Sequence, residues 1–117
     1  DLGAAHWFNL AFLLDEAERF DEAEGAFRRA VALDPQLDRA WYGLGLVLIR
    51  QQRYDEAVAA LKRNTELQPM SPYGWYQLAR VQVDRQQPDE ARKIIRHLKG
   101  FEPKVADQLV RETGLDP

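Results

Sequence analysis

The chain has 117 residues, 45% of them hydrophobic and 30% charged, and a net charge of −3, a length and mixture that suit one folded domain with a sizeable core. The acidic balance excludes the concentrated basic face that nucleic acids require, so no nucleic-acid partner is expected. Without cysteine there is no disulfide framework or thiolate chemistry, and no apolar run reaches the ~20 residues of a membrane span, so no membrane insertion is expected.

The start, Asp1-Leu2-Gly3, carries neither an initiator Met nor the basic flank of a secretion signal. The chain is therefore expected to be a segment of a longer protein or a processed product. A soluble location is expected, with the cytoplasm favoured, and the Ala-, Arg- and Leu-rich composition suggests a bacterial source.

A strict period organises the chain from residue 4 onward. Trp7, Trp41 and Trp75 are each 34 residues apart, as are Leu10, Leu44 and Leu78, the tripeptide Asp-Glu-Ala at 21–23, 55–57 and 89–91, and Pro35, Pro69 and Pro103. Six positions recurring in one phase mark three tandem units, 4–37, 38–71 and 72–105. Within the first helix of a unit, Trp7, Leu10, Ala11 and Leu14 keep helical spacing, and Trp41, Leu44, Gly45 and Leu48 repeat it. The small residues at 11, 45 and 79 leave room for a close neighbour. A second helix is predicted to open near Asp21, Asp55 and Asp89, with the Asp side chain as cap. Ala23, Ala57 and Ala91 then mark a tight crossing, Phe27, Leu61 and Ile95 supply bulk, and each Pro ends its pair. Beyond Pro103, a terminal helix over about 104–113 presents Val105, Leu109 and Val110 on one side and stops at Gly114. It is expected to cap the last pair.

The pattern W-x2-L-[GA]-x2-[LY] … A-x3-[FLI] … P over 4–105 resembles the tetratricopeptide repeat. That resemblance implies an all-α, right-handed α-solenoid of three helix–turn–helix units plus a C-terminal helix. The third unit departs most, with Gln82 for Leu14 and Leu48, Pro88 for Phe20 and Tyr54, and Leu98 for Ala30; Asn64 takes the same position in unit two. Such departures suit a unit near an end of the array.

The resemblance also implies a function. First helices of the family line a groove that receives a peptide or a partner's helix, through positions offset from the packing face. In unit one these are Ala5, Phe8, Asn9, Phe12 and Asp15; in unit two Arg39, Tyr42, Gly43, Leu46 and Ile49; in unit three Tyr73, Tyr76, Gln77, Arg80 and Val83. The binding residues are expected to be Phe8, Asn9, Phe12, Arg39, Tyr42, Leu46, Tyr73, Tyr76, Gln77 and Arg80. Five of them are aromatic, the side chains that protein-binding patches enrich. The competing reading is that they only widen the core. Members that clamp a C-terminal carboxylate do so with Lys, Asn and Arg at positions that here hold Phe8, Phe12, Gly43, Tyr73 and Gln77. The expected ligand is thus a protein or peptide that is apolar or tolerant of aromatics, and not a carboxylate-clamp ligand.

Catalysis is not expected. His6 and His97 lie in different units, Ser71 is the sole serine and sits in a turn, and no Gly-rich phosphate loop or calcium loop is present. Neither a cofactor nor a metal is expected. The six acids of residues 15–24 read as a solvated turn with first-turn acids. An alternative function, in a different class, is a self-assembling scaffold stacking through its end faces, where Ala4, Ala5, Leu13 and Phe20 could meet a second copy to give a homo-oligomer.

Overall fold

Helical spacing of the apolar residues becomes seven α-helices in a computed structural model that describes residues 2–117. They are α1 (Ala4–Glu16), α2 (Phe20–Leu33), α3 (Asp38–Arg50), α4 (Tyr54–Leu67), α5 (Pro72–Asp84), α6 (Pro88–Lys99) and α7 (Pro103–Thr113). The pairs α1–α2, α3–α4 and α5–α6 stack in sequence into an elongated solenoid, 48 × 25 × 20 Å. Its first helices also touch one another, α1 with α3 and α3 with α5, whereas among the described residues α2 does not reach α4 nor α4 α6. The first helices therefore line the inner, concave side.

The small residues are where close packing demands them. Ala11, Ala79, Ala23, Ala57 and Ala91 are fully buried at the crossings, and a Cβ on Gly45 would come within 2.7 Å of the Leu61 side chain. Phe27, Leu61 and Ile95 fill the adjoining core, each contributing roughly 1.5–3 kcal/mol by burial. The repeated Trp and Pro are coupled: the indole N–H of Trp41 donates to the Pro35 carbonyl at 2.9 Å, and that of Trp75 to the Pro69 carbonyl at 2.8 Å. The half-buried indole thus pins the turn that enters its own unit.

Three local expectations are corrected. Asp21, Asp55 and Asp89 are not caps: Arg19, Arg53 and Gln87 hold the N-cap position without a side-chain cap bond, and the Asp falls inside the first turn. The reason is the preceding turn. Glu18, Gln52 and Gln86 adopt positive φ of 60°, 59° and 62°, which closes the first helix and starts the second at residue 20, 54 or 88, one residue before the Asp. The amide after each of them returns to a carbonyl five residues back, Arg19 to Leu14, Arg53 to Leu48 and Gln87 to Gln82, in a Schellman closure without glycine. Pro103 does not end α6; it opens α7, whose own end at Gly114 has φ 74°. Leu10, read as a packing residue, is 37% exposed, while Leu44 and Leu78 are buried. In α3 and α5 that face is covered by the preceding pair.

Ion pairs tie the units along the turn edge. Asp15 is paired with Arg50, Glu24 with Arg28 and Arg53, and Asp55 with Arg85. Burial acts to raise the Glu24 pKa, but hydrogen bonds from Arg28, Gln51 and Arg53 outweigh it and hold the carboxyl below the ordinary glutamate range. The acidic stretch is therefore more than a solvated turn, since Asp15 and Glu24 link unit one to unit two.

Candidate functional site: an aromatic depression on the concave side

The first helices carry apolar packing residues on one stripe and leave a second stripe free to face inward. Between units one and two that stripe surrounds a depression of about 400 Å³. Its walls are Phe8, Phe12 and Asp15 of α1, Asp38, Arg39, Tyr42, Gly43 and Leu46 of α3, Phe27 behind them, and Asn64, Gln68, Ser71 and Tyr73 toward unit three. Gly43 makes the floor: a Cβ there would lie 2.4 Å from the Phe27 ring, so glycine is what lets that ring sit beneath the helix. Phe8 meets Phe27 edge to face with centroids 6.0 Å apart, and the Arg39 guanidinium lies 5.1 Å from the Phe8 centroid. Asn64, buried, donates to the Asp38 carbonyl at 2.9 Å and so fixes α4 to the start of α3. Phe12 and Tyr73 stay 50% and 70% exposed at the lips.

A second hollow, about 270 Å³, continues beyond Tyr42 and Tyr73, lined also by Pro72, Tyr76, Gln77, Val105 and Gln108. Here the terminal helix reaches the groove. The Tyr76 hydroxyl donates to the Glu112 carboxylate, Arg80 Nη1 lies 2.8 Å from the same oxygen, and Gln108 Nε2 donates to the other at 2.9 Å. The hydrogen bond to Glu112 pushes the Tyr76 phenol up, and the bond from Tyr76 with that from Gln108 holds the Glu112 carboxyl down.

Six of the ten expected residues, Phe8, Phe12, Arg39, Tyr42, Leu46 and Tyr73, thus surround one depression, and Tyr76 and Gln77 line its continuation. Asn9 is exposed and outside both hollows, and Arg80 is engaged by Glu112. Sequence reasoning passed over Asn64, Gln68 and Ser71, which reach the rim from the second helix and the following turn; the polar Asn64 at a position otherwise Ala or Leu was the available signal. Two further hollows differ in character. One of about 510 Å³ at the turn edge is walled by Arg53, Asp55, Glu56 and Arg85, already in ion pairs. Another of about 450 Å³ lies over Trp41, Leu44 and Leu48 away from the groove.

Comparison with known proteins places this architecture. A tetratricopeptide repeat family model matches residues 8–72, more than half of the 117, and a second model of the same description matches 72–97. The chain belongs to the tetratricopeptide repeat family. No curated protein matches it. Among solved structures, the tetratricopeptide solenoid is similar to YrrB, described as a TPR protein with an unusual peptide-binding site (TM-score 0.85, 18% identity, 95% of this chain and 58% of that one). The first TPR of Spaghetti, bound to an HSP90 peptide, matches with TM-score 0.85 and 15% identity over 95% of this chain and 90% of that chain. The Yersinia enterocolitica chaperone SycD, in complex with a peptide of the translocator YopD, gives 0.80 and 18% over 94% and 86%. At these identities the likeness concerns the fold. The chain spans little more than half of YrrB's length. Among the described residues no helix is long and apolar enough to cross a membrane.

Proposed function

We propose that this domain is a protein-interaction module that binds a peptide or partner segment in its concave groove, anchored in the depression between units one and two. The observation that carries the reading is the convergence of Phe8, Phe12, Tyr42, Leu46 and Tyr73 around an open space of about 400 Å³, within the range of small-ligand sites. Rigid aromatic walls bind at low entropy cost, and a single such anchor is worth about 2 kcal/mol or more in a complex. Peptides bound by structurally similar tetratricopeptide proteins support a peptide as the ligand class. The ligand is apolar or tolerant of aromatics, and the domain acts without catalysis or cofactor. The three units 4–37, 38–71 and 72–105 serve as one domain, with α7 as its cap.

Site-specific photo-crosslinking tests this. A benzophenone side chain at position 73 should capture a partner that the same probe at Lys93, exposed on α6, does not. Equal capture at both positions would rule out the groove as the binding site.

A second reading, association of copies through the α1 end, rests on Leu10 and Leu13, 37% and 62% exposed. Among the described residues the α7 end, with Lys104, Asp107, Gln108 and Arg111 exposed, has no large exposed hydrophobic to match it for head-to-tail stacking. A mass that rises with concentration would favour this reading, and a constant monomer mass would retire it.

A further inference from the structure

We propose that Arg39 receives an acidic side chain of the bound peptide, so that the ligand carries one Asp or Glu beside the apolar residue that fills the depression. This rests on reading the concave depression as a peptide site.

Three observations carry it. Of the arginines on the first helices, Arg50 is paired with Asp15 and Arg80 with Glu112, whereas Arg39 makes no ion pair among the described residues. Its guanidinium is also held in place: it lies over the Phe8 ring, itself braced edge-on by Phe27. A guanidinium stacked on an aromatic face keeps its edge N–H groups available, in the fork geometry that suits a carboxylate. Finally, unit three contains the same chemistry already satisfied from within. There an Arg and a Tyr of one helix, Arg80 and Tyr76, hold the Glu112 carboxylate that α7 delivers. In unit two Arg39 and Tyr42, three residues apart on α3 and so neighbours on its surface, line the depression. Among the described residues no carboxylate is paired with either of them: Asp15, which lines the same depression, is taken by Arg50, and Asp38 makes no ion pair. Arg39 stands one turn before its tyrosine and Arg80 one turn after, so an acid from the ligand would meet a comparable Arg–Tyr pair approached from the other side.

Asp38 limits the preference. It also lines the depression, at the start of α3, where the helix N-terminus favours its charge. A second acid in the ligand would face it and be repelled, so a single acidic residue is specified rather than an acidic run.

The test is selection from a random dodecapeptide library displayed as N-terminal coat-protein fusions, so that no peptide offers a free C-terminus. Baits are the wild-type chain, Arg39→Leu, Arg39→Glu and Tyr42→Ala, each checked for folding by circular dichroism. Wild type should enrich one large apolar residue with one Asp or Glu at a fixed offset. Arg39→Leu should keep the apolar residue and lose the acid, and Arg39→Glu should replace the acid by Lys or Arg. For the best wild-type peptide, exchanging its acid for the amide should weaken binding about tenfold at low salt, and on Arg39→Leu that exchange should be silent. Apolar enrichment without an acid, or an acid retained by Arg39→Leu, overturns the assignment to Arg39 while leaving the groove reading intact. No enrichment on wild type, or the same peptides on Tyr42→Ala, overturns both.

Discussion

The two ends of this solenoid carry the same repeat and meet different surroundings. At the C-terminal end α7 lies against α5 and α6, covers the last pair, and brings Glu112 to Tyr76 and Arg80. At the N-terminal end Leu10 and Leu13 are open, although Leu44 and Val47, at the same repeat positions, are 2% and 0% exposed. Likewise Tyr42 and Tyr76 share a position, yet one lines a depression beside an arginine that has no ion pair among the described residues, and the other is tied to a carboxylate. A repeat position thus sets which way a side chain points; the neighbouring element decides whether it packs, pairs or stays available.

The sharpest way to break this contrast is one substitution made at both ends. Leu44→Ala should cost about 2–5 kcal/mol as a buried large-to-small change, while Leu10→Ala should stay within about 0.5 kcal/mol as a surface change. Urea unfolding midpoints read both, and equal losses would mean that the α1 face is covered in solution. The groove halves should separate next. Tyr42→Ala is expected to weaken partner binding by about 2 kcal/mol with a small effect on unfolding. Tyr76→Ala should instead release Glu112 and loosen α7, seen as faster amide exchange over residues 103–113; matching effects at the two tyrosines would erase the distinction.

Smaller effects test the turns and the cap. Gln52→Gly should raise stability by about 0.5–1 kcal/mol, because the position has φ 59°, which disfavours a side chain; a loss would show that the Gln52 side chain contributes more than its backbone costs. The Glu112 carboxyl sits below its ordinary value of 4.5 in the folded chain, chiefly through the bond from Tyr76. A depressed folded pKa adds stability above the unfolded value, and this is lost as pH falls through the folded one. Melting temperature should therefore drop on acidification below about pH 4.5, and less steeply in Glu112→Gln. Identical acid limbs would mean that the Glu112 contact adds nothing to the cap.

How much of the fold and groove was legible in the sequence depends on what a local pattern records. The 34-residue period reports packing: the buried Ala crossings, Phe27 and Leu61, and the Trp–Pro pairing are its direct consequences. The turns did not show, because Glu18, Gln52 and Gln86 hold left-handed backbone without the glycine that normally announces it, and this moved Asp21, Asp55 and Asp89 out of the cap position. In the groove, offset counting brought Phe8, Phe12, Arg39, Tyr42, Leu46 and Tyr73 to one place. It could not anticipate that Glu112, from an element outside the repeat, engages Arg80, nor that Asn64 reaches the rim from a second helix. Those contacts depend on where α7 and α4 come to rest, which no spacing within a single helix encodes.

The most direct test of the groove as the binding site is a 1H–15N titration of the chain with a peptide selected on it. Binding in the groove predicts that the largest shifts fall on residues 8, 12, 39, 42, 46 and 73. Shifts centred on residues 10 and 13 at the α1 end, or on the outward-facing residues 29, 62 and 93 of α2, α4 and α6, would contradict it.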